Sequence, residues 1–310
     1  MRWEKSGMIF NAEEYGFDYT KSPQAVIFDN YIRVYFSTCI QDKKKLISEV
    51  AFVDFDKEFK NIIRVSKDIV IPRGQLGCFD EHGIFPFSPL RINDKIYGYT
   101  SGWSRRVSVS VETGIGLAIS SDNGETFNRV GNGPVLTASI QEPFLIIDGY
   151  VKYMNSEYHM WYIYGTDWKV FEDGKEPDRI YKIGHAISDD GIHWIKEGRQ
   201  IISDSYENEA QALPCVIELN HRYHMFFCYR RPSDFRNNSK RSYRIGYAYS
   251  DDLSNWIRND ENVGIDVSDT GWDSEMLCYP NVFEVDGSIY MLYNGNHFGK
   301  YGFGLAKLHM

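Results

Sequence analysis

Along this chain, apolar and small residues alternate with polar ones in short runs, and helical spacing is nearly absent. Alternation with a period of two puts every second side chain on one face of a sheet, so the runs read as strands. One run recurs. GIGLAISSDNGETF (114–127), KIGHAISDDGIHW (182–194) and RIGYAYSDDLSNW (244–256) are close copies, LISEVAFVDFDKEF (46–59) is a degenerate one and YGFGLAKL (301–308) a truncated one. An alanine marks each: Ala51, Ala118, Ala186, Ala248 and Ala306. Each copy is a strand, a polar tight turn and an aromatic that opens a further strand. The Asp-Asp-Gly at 189–191 suits the turn, since glycine accepts positive φ and aspartate bonds its own backbone.

Two more strands precede each copy. The nearer is rich in aromatics: YIRVYFSTC (31–39), KIYGYTSGW (95–103), EYHMWYIYG (157–165), RYHMFFCYR (222–230) and SIYMLYNGN (288–296). The farther comprises PQAVIFD (23–29), PFSPLRIND (86–94), EPFLIIDG (142–149), LPCVIELN (213–220) and YPNVFEVDG (279–287). These end in Asp-Asn, Asn-Asp, Asp-Gly, Leu-Asn and Asp-Gly, which is hairpin chemistry. The sequence therefore predicts an all-β, five-bladed β-propeller with about four antiparallel strands per blade. A β-sandwich would not need five equivalent triplets, and a parallel β-helix would repeat at shorter intervals. RWEKSGMIF, ahead of the first blade, is expected to supply the outer strand missing from the last. No Pro/Ser/Gly linker interrupts the repeat, so residues 1–310 are read as one domain.

Composition narrows the function. Aromatic residues make up 15% of the chain, and their place in the second strands marks most of them as packing between blades. A net charge of −9 with no long basic run argues against nucleic acid. No apolar run is long enough for a membrane span. The N-terminus lacks a signal-peptide core, and the five cysteines lack metal-type spacing; Cys39, Cys215 and Cys228 read as small core residues. These features predict a cytoplasmic protein. No cofactor motif occurs: GIGLA and GFGLA lie inside repeated strands and fail the strand-to-helix context of a dinucleotide fingerprint. A metal ion in the channel is compatible with the carboxylates and histidine, but no spacing names one.

The residues just before the inner strands should converge at one mouth of the central channel. An acid stands five residues ahead of a proline in four units: Asp18 before Pro23, Glu81 before Pro86, Glu209 before Pro214 and Glu275 before Pro280. In the third unit Glu142 directly precedes Pro143. Crowded carboxylates raise one another's pKa, which suits an acid and a base on either side of a glycosidic bond. Capping of turns is the competing role for each acid taken singly. The same region should hold Asp80 and His82, Glu207, and Asp273 beside Trp272. The second strands lead there to Trp103, Arg105 and Arg106, to Asp167 and Trp168, to Arg230 and Arg231, and to Asn294, Asn296 and His297. The arginines either grip an anionic ligand or neutralise the acids. The tryptophans either stack on a sugar or pack.

With these residues in view, the chain resembles the five-bladed propeller glycoside hydrolases, the group of arabinanases, β-xylosidases, invertase-like enzymes and mannoside phosphorylases. The resemblance rests on SDDGIHW (188–194), on WDSEMLCYPNVFEVDGSIYMLYNGN (272–296) and on the acids before the inner strands. It implies Asp18 as base or nucleophile, Glu142 as the group that orients substrate or tunes pKa, and Glu209 as general acid. SSDNGETF (120–127) also resembles the sialidase Asp-box, a peripheral turn. Three functions follow as expectations. The first is glycosidic bond cleavage by these carboxylates. The second is phosphorolysis or glycosyl transfer, with Arg230, Arg231 and His82 holding phosphate or an anionic donor. The third is a non-catalytic propeller that binds a saccharide or anionic glycoconjugate.

Overall fold

The computed structural model describes residues 1–42 and 45–309. The N-terminal strand β1 (Arg2–Asn11) is set aside by the chain, which then builds four blades in order. Blade 1 consists of β2 (Lys21–Ile27), β3 (Ile32–Asp42), β4 (Lys45–Phe55) and β5 (Ile62–Val65). Blade 2 contains β6 (Ile84–Ile92), β7 (Lys95–Arg105), β8 (Val111–Ser120) and β9 (Asn128–Arg129). Blade 3 contains β10 (Phe144–Met154), β11 (Glu157–Lys169), β12 (Asp178–Ser188) and β13 (Ile195–Lys196). Blade 4 contains β14 (Ala210–Leu219), β15 (Arg222–Arg230), β16 (Arg244–Ser250) and β17 (Ile257–Arg258). Blade 5 has three strands of its own, β18 (Cys278–Val285), β19 (Ser288–Asn294) and β20 (Gly302–His309), and β1 pairs antiparallel with β20 as its fourth. All five sheets are four-stranded, so the fold is the five-bladed propeller that the repeat predicts.

The repeat has a packing reason. The five marker alanines lie in the third strands, none more than 3% exposed, where a larger side chain would push the blades apart. Second-strand aromatics fill the wedges: Tyr35, Tyr99, Trp161, Phe226 and Tyr293 are all essentially inaccessible. Each turn after the third strand is tied by its own side chains. Ser188 Oγ accepts from Gly191 N at 2.9 Å, and Asp190 Oδ1 accepts from Ile192 N and His193 N, both at 2.8 Å. The ring closes between blades 5 and 1. Asn294 Oδ1 accepts from Ser22 N (2.8 Å), and its Nδ2 donates to Thr20 O (2.9 Å) and Gly302 O (2.8 Å).

Every inner strand also carries a bulge near its start. Register shifts fall at Lys21/Gln24, Ile84/Phe87, Phe144/Ile147, Ala212/Cys215 and Cys278/Asn281. In four blades a residue there has positive φ: Ser22, Leu145, Leu213 and Tyr279; blade 2 has the cis Phe85–Pro86 bond at the same place. Bulges re-aim side chains, here towards one mouth of the channel. Blade 3 has a second shift at Ile147/Tyr150, with Asp148 at φ 60°. This corrects one hairpin expected from the sequence. Asp148-Gly149 is not a turn but the interior of β10, and the turn is at Asn155-Ser156.

Candidate active site

Of the five acids aligned before the inner strands, Glu142 and Glu209 are buried in ion pairs, and so are Asp80 and Asp273 close to the aligned Glu81 and Glu275. Glu142, fully buried, accepts a hydrogen bond from Tyr162 (2.7 Å) and pairs with Lys196 Nζ (2.7 Å). Glu209, also fully buried, pairs with Arg258 Nη1 (2.6 Å) and accepts from Gln211 Nε2 (3.0 Å) and Ser205 N (3.1 Å). Asp80 is clasped by both terminal nitrogens of Arg129. Asp273 pairs with Lys5 (2.8 Å) and accepts from Tyr293 (3.2 Å). In each case the cation stands on the outermost strand, directly across from the marker alanine: Ala118↔Arg129, Ala186↔Lys196, Ala248↔Arg258 and Ala306↔Lys5. Four blades thus lock the loop ahead of their inner strand to their outer edge by a buried ion pair. Blade 1 differs: Asp18 is exposed and makes no ion pair among the described residues.

The mouth itself opens into a cavity of about 790 Å³. The bulged residues Phe85, Leu145, Leu213 and Tyr279 line it. Among them lies one buried carboxyl, Asp148, 6% exposed. Its backbone N donates to Ser101 Oγ (3.1 Å) and its Oδ2 accepts from Leu213 N (3.2 Å), so blades 2 and 4 hold it from either side. Burial pushes its pKa up to about 7, against the opposing pull of the Leu213 amide and the Arg179 charge. The carboxyl is therefore part acid, part carboxylate near neutral pH.

The rest of the wall is cationic. Among the described residues, Lys21, Arg105, Arg106, Arg179, Arg230 and Arg236 line the cavity against two carboxylates, Asp148 and Glu176. In a chain of net charge −9 this is a local reversal of sign. Of these cations only Arg106 has a carboxylate partner among the described residues, Glu112. Arg230, 2% exposed, lies 3.6 Å from the Phe235 ring centre. Its Nε donates to the Tyr181 and Tyr243 hydroxyls (3.2 and 3.3 Å) and its Nη1 to the carbonyls of Arg231 and Pro232 (2.9 and 3.1 Å). Arg179 lies over Trp103 (5.3 Å) and Trp168 (6.0 Å). Burial lowers the Arg179 pKa, and the charges of Arg230 and Arg236 add to the effect. Guanidiniums held close together on aromatic faces, without carboxylates, favour an oxyanion between them.

Of the residues predicted from sequence, His82, Trp103, Arg105, Arg106 and Arg230 line this cavity, and the Trp168 ring lies 6.0 Å from Arg179. His82 Nδ1 lies 3.3 Å from Glu81 and accepts from Arg105 N (3.4 Å). Glu81 itself accepts from Gly77 N (2.8 Å). Glu207 and Glu275 are exposed and Arg231 lies on the Tyr206 ring (3.6 Å), none of them lining the cavity. Asn294 belongs to the ring closure. Asp148 and Arg179 have no counterpart in the sequence reading: one sits in an apparent Asp-Gly turn, the other before a repeat whose markers lie farther on. Among the described residues, no three His, Cys, Asp or Glu side chains are close enough to hold a metal ion, and no helix is long and apolar enough to cross a membrane.

Comparison with known proteins gives a consistent outer frame. No family model matches the chain. It is 34% identical over 315 residues to two proteins of Mycobacterium tuberculosis, "Uncharacterized protein MT1551" (strain CDC 1551 / Oshkosh) and "Uncharacterized protein Rv1502" (strain ATCC 25618 / H37Rv), covering 99% of this chain and of each relative. It is 25% identical over 137 residues to the β-1,2-mannobiose phosphorylase of Thermoanaerobacter sp. (strain X514), covering 41% of this chain and 43% of that protein. Among solved structures, a glycoside hydrolase superposes with TM-score 0.74 at 15% identity, over 94% of this chain and 88% of that one. A GH43 β-xylosidase/α-arabinofuranosidase in complex with xylotriose superposes with TM-score 0.63, also at 15% identity, over 99% of this chain and 95% of that one. At such identities the structures share the five-bladed propeller fold.

Proposed function

The chain belongs to the family of the two Mycobacterium tuberculosis proteins, and from its own geometry we propose that it transfers a glycosyl group between a saccharide and an oxyanion such as phosphate. The observation that carries this reading is one cavity holding a single buried carboxyl with a pKa of about 7 and several guanidiniums without carboxylate partners. Hydrolysis with general acid and base needs two carboxyl groups flanking the bond. Phosphorolysis needs one acid and a held phosphate, because the phosphate replaces both base and water. The protonated Asp148 donates its proton to the glycosidic oxygen as the bond to the anomeric carbon breaks. A phosphate oxygen, positioned by Arg179, Arg230 and Arg236, forms the new bond at that carbon. The products are a sugar 1-phosphate and the shortened saccharide, and Asp148 regains its proton from solvent.

The partial likeness to a phosphorylase supports this reading, and so does the carbohydrate-processing company in which the fold occurs. In the same reading Glu142 and Glu209 are structural, their charges consumed by Lys196 and Arg258. The five unpaired cysteines fit a reducing compartment, the cytoplasm. Hydrolysis is the second reading, favoured by Glu176 as another carboxylate on the cavity wall. The test is product detection by mass spectrometry on a panel of oligosaccharides with and without phosphate. Turnover that requires phosphate supports transfer; turnover indifferent to it transfers the case to Asp148 and Glu176 as a hydrolytic pair.

A further inference from the structure

The cavity has a second cationic wall, which the proposed transfer does not use. Lys21, on the bulged start of β2, lies 4.5 Å from the Phe85 ring centre and 5.5 Å from that of Tyr19, with Ser48 Oγ 3.0 Å from its ammonium. It makes no ion pair among the described residues, although Glu49 follows Ser48 on β4; that carboxylate is taken by Arg73 at 2.8 Å. His82 and Arg105 stand on the same side, joined by the bond from the Arg105 amide to the imidazole. The two walls are separated by a pair of rings. Phe85 and Trp103 are stacked with centres 6.2 Å apart; Lys21 covers the first and Arg179 the second.

A cation seated on an aromatic face keeps its full charge for a ligand, whereas one against a carboxylate does not. Lys21 is half-buried, with two rings and a hydroxyl around its ammonium and no carboxylate against it, so its charge is open to an anion in the cavity. A phosphate at the arginine wall lies across the Phe85–Trp103 ring pair from Lys21 and leaves its charge unmatched. We infer that the saccharide itself is acidic: it carries a phosphate or carboxylate substituent that Lys21 receives, while the arginine wall holds the transferred oxyanion. This rests on the reading of the arginine wall as an oxyanion site and adds the substrate class to it.

The test is calorimetric titration of the whole protein with inorganic phosphate, hexose 1-phosphates, hexose 1,6-bisphosphates and hexuronic acid 1-phosphates, each in gluco and manno configuration. A ligand acidic at both ends is expected to bind at least about tenfold more tightly than the corresponding hexose 1-phosphate, as a charge-assisted hydrogen bond allows. Lys21→Met should remove that advantage and leave inorganic phosphate unchanged; Lys21→Arg should keep it. The bisphosphate and uronate arms tell which acid the substrate carries. Equal affinities for singly and doubly acidic ligands, with Lys21→Met silent and phosphate still bound, would overturn the inference alone. Failure of the wild-type protein to bind inorganic phosphate would overturn the oxyanion site, and the inference with it.

Discussion

Two sets of carboxyl groups in this molecule use the same residue types for opposite ends. At the blade corners, Asp80, Glu142, Glu209 and Asp273 are buried beside a lysine or arginine from the outermost strand, so charge is matched and each acid ties a loop to a sheet edge. At the channel mouth, Asp148 is as deeply buried but has no cation within ion-pair distance among the described residues, and the guanidiniums of Arg179, Arg230 and Arg236 lack carboxylates there in turn. Matched charge rigidifies; unmatched charge waits for a proton or a ligand. Burial of an acid next to an inner strand therefore says nothing about chemistry until its partner is known.

Removing Asp148 separates the two sets most sharply. Asp148→Asn keeps the shape and removes the proton, so turnover should fall by about 10²- to 10⁴-fold with the fold intact, checked by product formation and circular dichroism. Glu209→Gln is the counter-test. Loss of turnover in a fully folded Glu209→Gln protein would return that residue to the general-acid role that the family resemblance implies.

Stability should respond in the reverse order. Lys196→Met leaves Glu142 buried without its cation and should cost about 3–5 kcal/mol in denaturant unfolding, while turnover per folded molecule persists. Asp148 carries a pH signature of its own. Its folded pKa lies above the unfolded one, so the native state holds the extra proton and stability falls as pH rises from about 4 to about 7. Full ionisation costs on the order of 4 kcal/mol. Asp148→Asn should thus melt higher than the wild type at pH 8 and no higher at pH 4. The smallest effect is expected at Asp18, exposed and without an ion pair among the described residues: Asp18→Asn should change stability by no more than about 0.5 kcal/mol and leave turnover near wild type.

The propeller was legible because its repeat is a packing repeat. The alanine, the turn serine and aspartate, and the aromatic strand each answer to a place where blades touch, and even the borrowed outer strand β1 could be read from the missing fourth strand of blade 5. The site was legible only in part. Trp103, Arg105, Arg106 and Arg230 were found because they stand where second strands end at the mouth, and His82 because it stands just ahead of an inner strand. Asp148 was hidden by a bulge: Asp-Gly in a strand interior reads like a turn, and one shifted register decides which it is. The corner acids had a signal of their own. Arg129, Lys196 and Arg258 follow Ala118, Ala186 and Ala248 at nearly constant spacing, and a recurring cation on a short outer strand is what a recurring buried acid needs.

The titration of Asp148, a protonatable carboxyl beside an oxyanion site, can be watched directly. Carboxyl carbons labelled with ¹³C in aspartate, compared between wild type and Asp148→Asn, isolate this one titration by NMR. A midpoint near 7 that moves upward when inorganic phosphate is added is the expected result, because a bound anion beside the carboxyl disfavours its ionisation. A midpoint in the ordinary carboxylate range, indifferent to phosphate, would contradict the account.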